Sequence, residues 1–95
     1  MIKPFKIDIP ETELKEIYKK VKNYPWHEMP DDGGWEYGST LDYMKEILSY
    51  WIKDFDWRKQ EAEINKFSNF TTVVEDIKMH FIHEKGSGSN PTPLL

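Results

Sequence analysis

The sequence predicts an α+β fold, three helices followed by a C-terminal β-hairpin, and three observations predict it. Apolar residues recur at helical spacing from Leu14 to Val21 and again from Leu41 to Phe55. Two runs rich in β-branched and aromatic residues, Phe70–Val74 and Ile77–His83, lie two residues apart. Between the first two helices, Pro25 to Gly38 holds two Pro, three Gly and two Trp, the composition of a long irregular loop rich in aromatic rings.

Taken in order, Lys3 to Pro10 alternates Phe5, Ile7 and Ile9 against Lys6 and Asp8, the period of a half-buried strand or strand-like arm. Pro10, Glu11 and Glu13 open the first helix, since proline is tolerated at an N-terminus and acids suit the positive end of the dipole. Leu14, Ile17, Tyr18 and Val21 form one narrow stripe, Lys19, Lys20 and Lys22 gather at the negative end, and Asn23 and Pro25 stop the helix. Asp31-Asp32-Gly33-Gly34 supplies the turn of the following loop. Ser39 or Thr40 can cap a second helix from Leu41 to about Phe55.

In that second helix Leu41, Met44, Leu48, Trp51 and Phe55 share one side, and Tyr43, Ile47 and Tyr50 widen the apolar arc to roughly 200°. Asp42, Lys45, Glu46, Ser49 and Lys53 fill the polar remainder. A helix on the surface of a small domain needs an arc about half as wide, so cover is expected on two sides, more than the rest of the chain can supply. Tyr43, Ile47, Tyr50, Trp51 and Phe55, with Trp57 nearby, are therefore the expected packing or interface residues. Asp56 suits the cap of a third helix, Trp57 to about Asn65. The Glu75-Asp76 link fits a tight hairpin. Gly86 to Pro91 is a flexible loop, and Pro93-Leu94-Leu95 has the look of the first residues of another strand.

The 95 residues allow one small domain, with about 65% of the unfolded surface buried at best, so an autonomous core would be marginal. The absence of cysteine excludes a disulfide framework, a thiolate metal site and a cysteine nucleophile. No apolar run approaches the length of a membrane span, and Met1-Ile2-Lys3-Pro4 lacks a signal-peptide core, so a cytoplasmic protein without membrane contact is expected. The net charge of −4 is concentrated in residues 28–46, which carry −5. With a single Arg and no basic stripe, nucleic acid is not an expected partner.

No motif for chemistry assembles. His80 and His83 are three apart, which on a strand sends them to opposite faces, so with His27 they make no expected metal site. Gly33-Gly34 has neither P-loop nor dinucleotide spacing and follows two acids. No serine sits in a Gly-x-Ser-x-Gly elbow. Glu61 and Glu63 diverge on their helix. The expected catalytic, cofactor and metal sets are therefore empty.

The order of aromatic landmarks is more specific. Pro4-Phe5-x-Ile7-x-Ile9-Pro10, Trp26, Gly34-Trp35-Glu36-Tyr37-Gly38, Leu41-x-Tyr43-Met44-x-Glu46-x-Leu48-x-Tyr50-Trp51 and Phe55-Asp56-Trp57-Arg58-Lys59-Gln60-Glu61-Ala62 follow one another, and the whole resembles the N-terminal domain of microsomal-type epoxide hydrolases. Ile77-x-Met79-His80-Phe81-Ile82-His83 is similar to the family's second strand. Two positions depart from the family pattern: Ser68 stands where a proline is common, and Asp76 where a turn glycine is common.

The resemblance implies that residues 1–95 are the domain that wraps around an α/β-hydrolase body, and that the hairpin begins that body's sheet. In such enzymes an Asp opens the epoxide as a covalent ester, a His-activated water hydrolyses it, and two Tyr hydroxyls polarise the oxygen. All of those residues belong downstream of Leu95, and none is carried over; Asp56, His80 and His83 match structural positions. With Met1 close to Pro4, a form without a membrane anchor is implied. The expected partner is the hydrolase body, in cis or in trans, with self-association through exposed apolar surface as a further possibility. The alternative is a self-standing interaction module that kept the fold and uses the outer side of the second helix.

Overall fold

The computed structural model describes residues 1–28 and 34–95. Among these, the chain forms β1 (Lys3–Pro4), α1 (Glu11–Lys22), α2 (Leu41–Lys53), α3 (Trp57–Ile64), β2 (Asn69–Val74) and β3 (Ile77–Ile82). The α+β class read from the sequence is the class that forms. Of the turn expected at Asp31-Asp32-Gly33-Gly34, the first three residues lie outside the described residues, and Gly34 takes a left-handed φ of 50°. Two compact units result: Ile9–Trp57, and Met1–Asp8 together with Arg58–Leu95.

In the unit Ile9–Trp57, α1 carries Glu11 and Glu13 in its first turn and Lys19, Lys20 and Lys22 in its last, matching the dipole at both ends. Leu14, on its apolar stripe, is the one apolar side chain buried among the described residues. α2 starts at a Thr40 cap, whose Oγ1 accepts from the Tyr43 N–H at 3.3 Å. It ends at Lys53, two residues before the expected limit. The N–H groups of Asp54 and Phe55 both donate to the Tyr50 carbonyl, at 2.8 and 3.0 Å, and the Tyr18 hydroxyl donates to the Phe55 carbonyl at 3.0 Å. Phe55 is thus tied back to α1 within this unit and leaves the helical path.

The second unit is built on a three-stranded antiparallel sheet in the order β1-β2-β3. β2 and β3 pair from Asn69↔Ile82 to Val74↔Ile77, and a backbone bond from His83 N–H to the Ser68 carbonyl, 3.0 Å, extends the pairing by a residue. Glu75 and Asp76 turn the hairpin with φ of 48° and 64°, both left-handed, the pattern of a two-residue type I′ turn. Asp76 therefore adopts the conformation that a glycine would take there, as a short polar side chain can.

The N-terminal arm joins this sheet for less of its length than its alternation suggests. Only Lys3 and Pro4 pair with β2, opposite Thr71 and Phe70, followed by a bond from Phe5 N–H to the Asn69 carbonyl at 2.8 Å. Ile7 is held instead by one side chain: Asn65 Oδ1 accepts from Ile7 N–H at 2.9 Å, and Asn65 Nδ2 donates to the Ile7 carbonyl at 2.7 Å. An amide presents one donor and one acceptor side by side, as a neighbouring strand does, so Asn65 takes the place of a strand partner. No strand forms at Pro93–Leu95, since an extended segment needs a backbone partner to become one.

Burial is slight throughout. Among the described residues, Leu14 is the one buried residue of the first unit, and Glu61 and Asn69 are those of the second.

Candidate functional site

The pairing register divides the hairpin into two unlike faces. Phe70 and Phe81, Thr72 and Met79, and Val74 and Ile77 stand opposite one another on one face. The two phenyl rings stack at 5.6 Å, whereas Met79, Val74 and Ile77 are about half exposed or more, reaching 62% at Ile77. On the other face, Phe5 lies edge-on to His80 at 5.7 Å, with the Lys78 ammonium 5.7 Å from its ring centre. One face is thus partly covered by the N-terminal arm, and the other carries exposed apolar groups. Among the described residues, the outer edge of β3 has no neighbouring strand.

Two asparagines and an ion pair fix the base of this sheet. Asn69, 5% exposed, donates through Nδ2 to the carbonyls of Ile64 and Phe67, at 2.9 and 2.8 Å. With its amide nitrogen so used, its Oδ1 accepts, and His80 Nε2 at 2.9 Å must be the donor. Glu61, 8% exposed, is a buried carboxylate, paired with Arg58 at 2.8 Å, and Arg58 reaches Asp8 at 4.0 Å. Arg58 thereby ties the arm to α3. The Ser68 N–H donates to the Glu84 carboxylate, and that bond holds the Glu84 acid below its ordinary pKa. Lys66, hydrogen-bonded to Glu63 at 2.8 Å, lowers the Glu63 acid in the same way.

The expected interface residues divide by exposure. Tyr50 is 57% exposed, Tyr43 and Ile47 are also exposed, and Trp51, Phe55 and Trp57 are half-buried. Tyr43 lies 5.0 Å from Trp35, itself exposed, and Tyr50 lies 6.4 Å from Phe55. No residue of α2 is buried. The other side of its apolar arc, Leu41, Met44, Leu48 and Trp51, borders a cleft of about 490 Å³ within the Ile9–Trp57 unit. Opposite them stand Val21 and Trp26, the latter packed edge-on against Tyr24 at 4.9 Å. The sequence pattern marks the wide arc without revealing that it opens on a cleft, which depends on where residues 24–27 run.

Of the residues weighed for chemistry, His80 is engaged with Asn69, His27 borders the cleft, and Asp56 sits directly before α3. Among the described residues, no three metal-ligating side chains come together. None of their helices is long and apolar enough to cross a membrane. The clamp residue Asn65 carries no local sequence signal, since its partner Ile7 lies 58 residues away.

The model of the family described as epoxide hydrolase N terminus matches residues 2–95. The chain belongs to that family. It is 36% identical to epoxide hydrolase 1 of Sus scrofa over 98 residues, covering 99% of this chain and 22% of the relative. Against the juvenile hormone epoxide hydrolase of Manduca sexta it is 31% identical, covering 99% and 21%. Among solved structures, the N-terminal family fold is similar to part of the Aspergillus niger epoxide hydrolase, with TM-score 0.73, 29% identity and 86% of this chain covered. The juvenile hormone epoxide hydrolase of Bombyx mori gives TM-score 0.77 at 28% identity, again over 86% of this chain. The matched parts are 22% and 20% of those two structures. This epoxide hydrolase N-terminal chain therefore spans about a fifth of the length of the relatives it matches.

Proposed function

We propose that residues 1–95 act as the supporting domain of an epoxide hydrolase, non-catalytic in itself, that packs on an α/β-hydrolase body supplied in cis or by a second chain. The complete enzyme adds water to an epoxide to give a vicinal diol. The observation that carries the reading is the β2–β3 hairpin: one exposed apolar face and one strand edge without a neighbour among the described residues are the two surfaces by which a small sheet extends into a larger one. Tyr43, Ile47, Tyr50, Trp51, Phe55 and Trp57 supply further packing surface in the same proposal. The domain works in the cytoplasm, in keeping with its 32% charged residues and mean hydropathy of −0.75.

The test measures diol formation from styrene oxide. The chain alone forms none, whereas adding it to the hydrolase body of a relative stripped of its own N-terminal region raises turnover. Turnover by the chain alone that disappears on substituting one of its aspartates would overturn the reading. A second reading, a self-standing interaction module, is favoured by the exposed Trp35–Tyr43 pair and by Tyr50. It is distinguished by retention of a partner protein in the absence of any hydrolase body.

A further inference from the structure

The central strand β2 begins with a sequence that the fold hides. Asn69-Phe70-Thr71 is an Asn-x-Thr acceptor for N-linked glycosylation, with a residue other than proline in the middle. Of the chain's four asparagines, only Asn90 also has a hydroxyl residue two positions on, and there Pro91 intervenes. Acceptors of this kind belong on surface loops, where an enzyme reaches the amide nitrogen. Asn69 is instead 5% exposed. Its Nδ2 has two hydrogens and both are committed, to the Ile64 and Phe67 carbonyls at 2.9 and 2.8 Å, while Oδ1 accepts from His80 at 2.9 Å. The backbone is committed as well: Phe70 and Thr71 pair with Pro4 and Lys3 on one side and with Phe81 and His80 on the other.

We propose that Asn69 is a folding-gated N-glycosylation acceptor, competent in the unfolded chain and closed once β2 is paired. Transfer from a lipid-diphosphate-linked oligosaccharide forms a bond between Nδ2 and C1 of the first sugar and breaks the bond from C1 to the phosphate oxygen. The lipid diphosphate departs, and the proton lost from Nδ2 goes with it. One of the two Nδ2 hydrogen bonds is then lost for good, and a carbonyl at the base of the sheet loses its donor. A bulky sugar would also have to occupy space that the Ile64 or Phe67 carbonyl now fills. Glycosylation and the native sheet therefore exclude one another: a chain that folds first is protected, and a chain modified first cannot complete the base of β2. Such a chain matures unharmed where no transferase is present, in keeping with the proposed cytoplasmic setting, on which the inference does not rest.

The full 95-residue chain, incubated with an oligosaccharyltransferase and its lipid-linked oligosaccharide, tests the proposal by intact mass and peptide mapping. Pro91→Ala supplies the internal standard, because it opens the acceptor at Asn90 in an exposed segment of the same chain. Asn90 should be modified at least about tenfold faster than Asn69, since a buried group reacts only in the fraction of chains open at that place. Phe81 lies two residues from His83, whose N–H faces β2, so Phe81→Pro removes a ladder bond opposite Phe70 and leaves the acceptor sequence intact. Asn69 should then be modified at a rate approaching that of Asn90. Parent chain modified near its unfolding midpoint and returned to native conditions should fail to regain amide protection over 69–74, while untreated chain regains it. A difference from Asn90 smaller than about tenfold in the folded chain, an Asn69 that stays inert in Phe81→Pro, or a glycosylated chain that regains protection would overturn the proposal. The diol assay reads the domain's supporting role separately, so either reading can fail alone.

Discussion

Asn65 shows how a single side chain replaces a stretch of sheet. Its amide meets both backbone groups of Ile7, at 2.9 and 2.7 Å, and so ends the arm's pairing with β2 without stranding a donor or an acceptor. Asn65→Asp keeps the shape but removes the donor and sets an anion against the Ile7 carbonyl. It should cost about 1–3 kcal/mol at neutral pH by chemical denaturation, as an unsatisfied polar contact does. The carboxyl introduced would have a raised folded-state pKa, because only its protonated form can donate. The deficit relative to the parent chain should therefore shrink as pH falls through that raised value. A deficit unchanged between neutral and acid pH would show that the amide nitrogen contributes nothing. Glu84 gives the opposite sign. Its carboxylate accepts from the Ser68 N–H, so its folded pKa is lowered, and its contribution is present above the unfolded value and lost as pH falls through the lowered one. Carboxyl-resolved NMR titration should find it below an ordinary glutamate. Ser68→Ala should leave much of the shift in place, because the backbone bond is its largest cause.

At the scale of elements, the hairpin turn is the clearest place to gain stability. Glu75 and Asp76 both occupy left-handed backbone, where a residue with a Cβ is disfavoured and glutamate has no compensating local hydrogen bond of the kind asparagine makes. Glu75→Asn with Asp76→Gly gives the sequence preferred by type I′ turns and should raise stability by about 1 kcal/mol, measured as a higher denaturant midpoint at unchanged slope. A loss of stability would indicate that the two acids make a contact the turn geometry does not require. The element-scale features were also the most legible from sequence. Helical spacing located α1, α2 and α3, and the two-residue gap between β-rich runs located the hairpin, because each depends on residues near one another in the chain. The arm was harder to read. Phe5, Ile7 and Ile9 alternate as a strand does, yet the extent of pairing is decided by Asn65, some 58 residues away. The burial of Glu61 was likewise invisible, because its i,i+3 spacing to Arg58 is also that of an ion pair on a solvated helix surface. The wide apolar arc of α2 was legible as an excess of apolar surface, but its division into an outer set around Tyr50 and an inner set lining a cleft required the path of residues 24–27.

For the whole molecule, the decisive quantity is how little apolar surface is removed from water. Among the described residues Leu14 alone is a buried apolar side chain, while Tyr43, Ile47, Tyr50, Val74, Ile77 and Met79 are all exposed. Fully burying a large apolar side chain is worth roughly 1.5–3 kcal/mol, and the core of a domain this small supplies roughly 3–5 kcal/mol. Leaving several such groups exposed therefore forgoes an amount comparable to the total stability expected. The isolated chain should be loosely folded or self-associated, binding hydrophobic dye and melting over a broad range. Tyr50→Ser and Ile77→Ser probe the two units separately. Each replaces a largely exposed side chain, so it should lower dye binding or the mass found by light scattering while costing the fold less than about 0.5 kcal/mol, the ordinary size of a surface substitution. Trp51→Ser and Phe55→Ser, at half-buried positions, should instead destabilise the Ile9–Trp57 unit measurably. A sharply melting monomer that binds no dye would contradict the deficit of burial and favour the self-standing module. Dye binding that responds to Tyr50→Ser but not to Ile77→Ser would place the sticky surface on α2 and remove the hairpin face as the main site of packing.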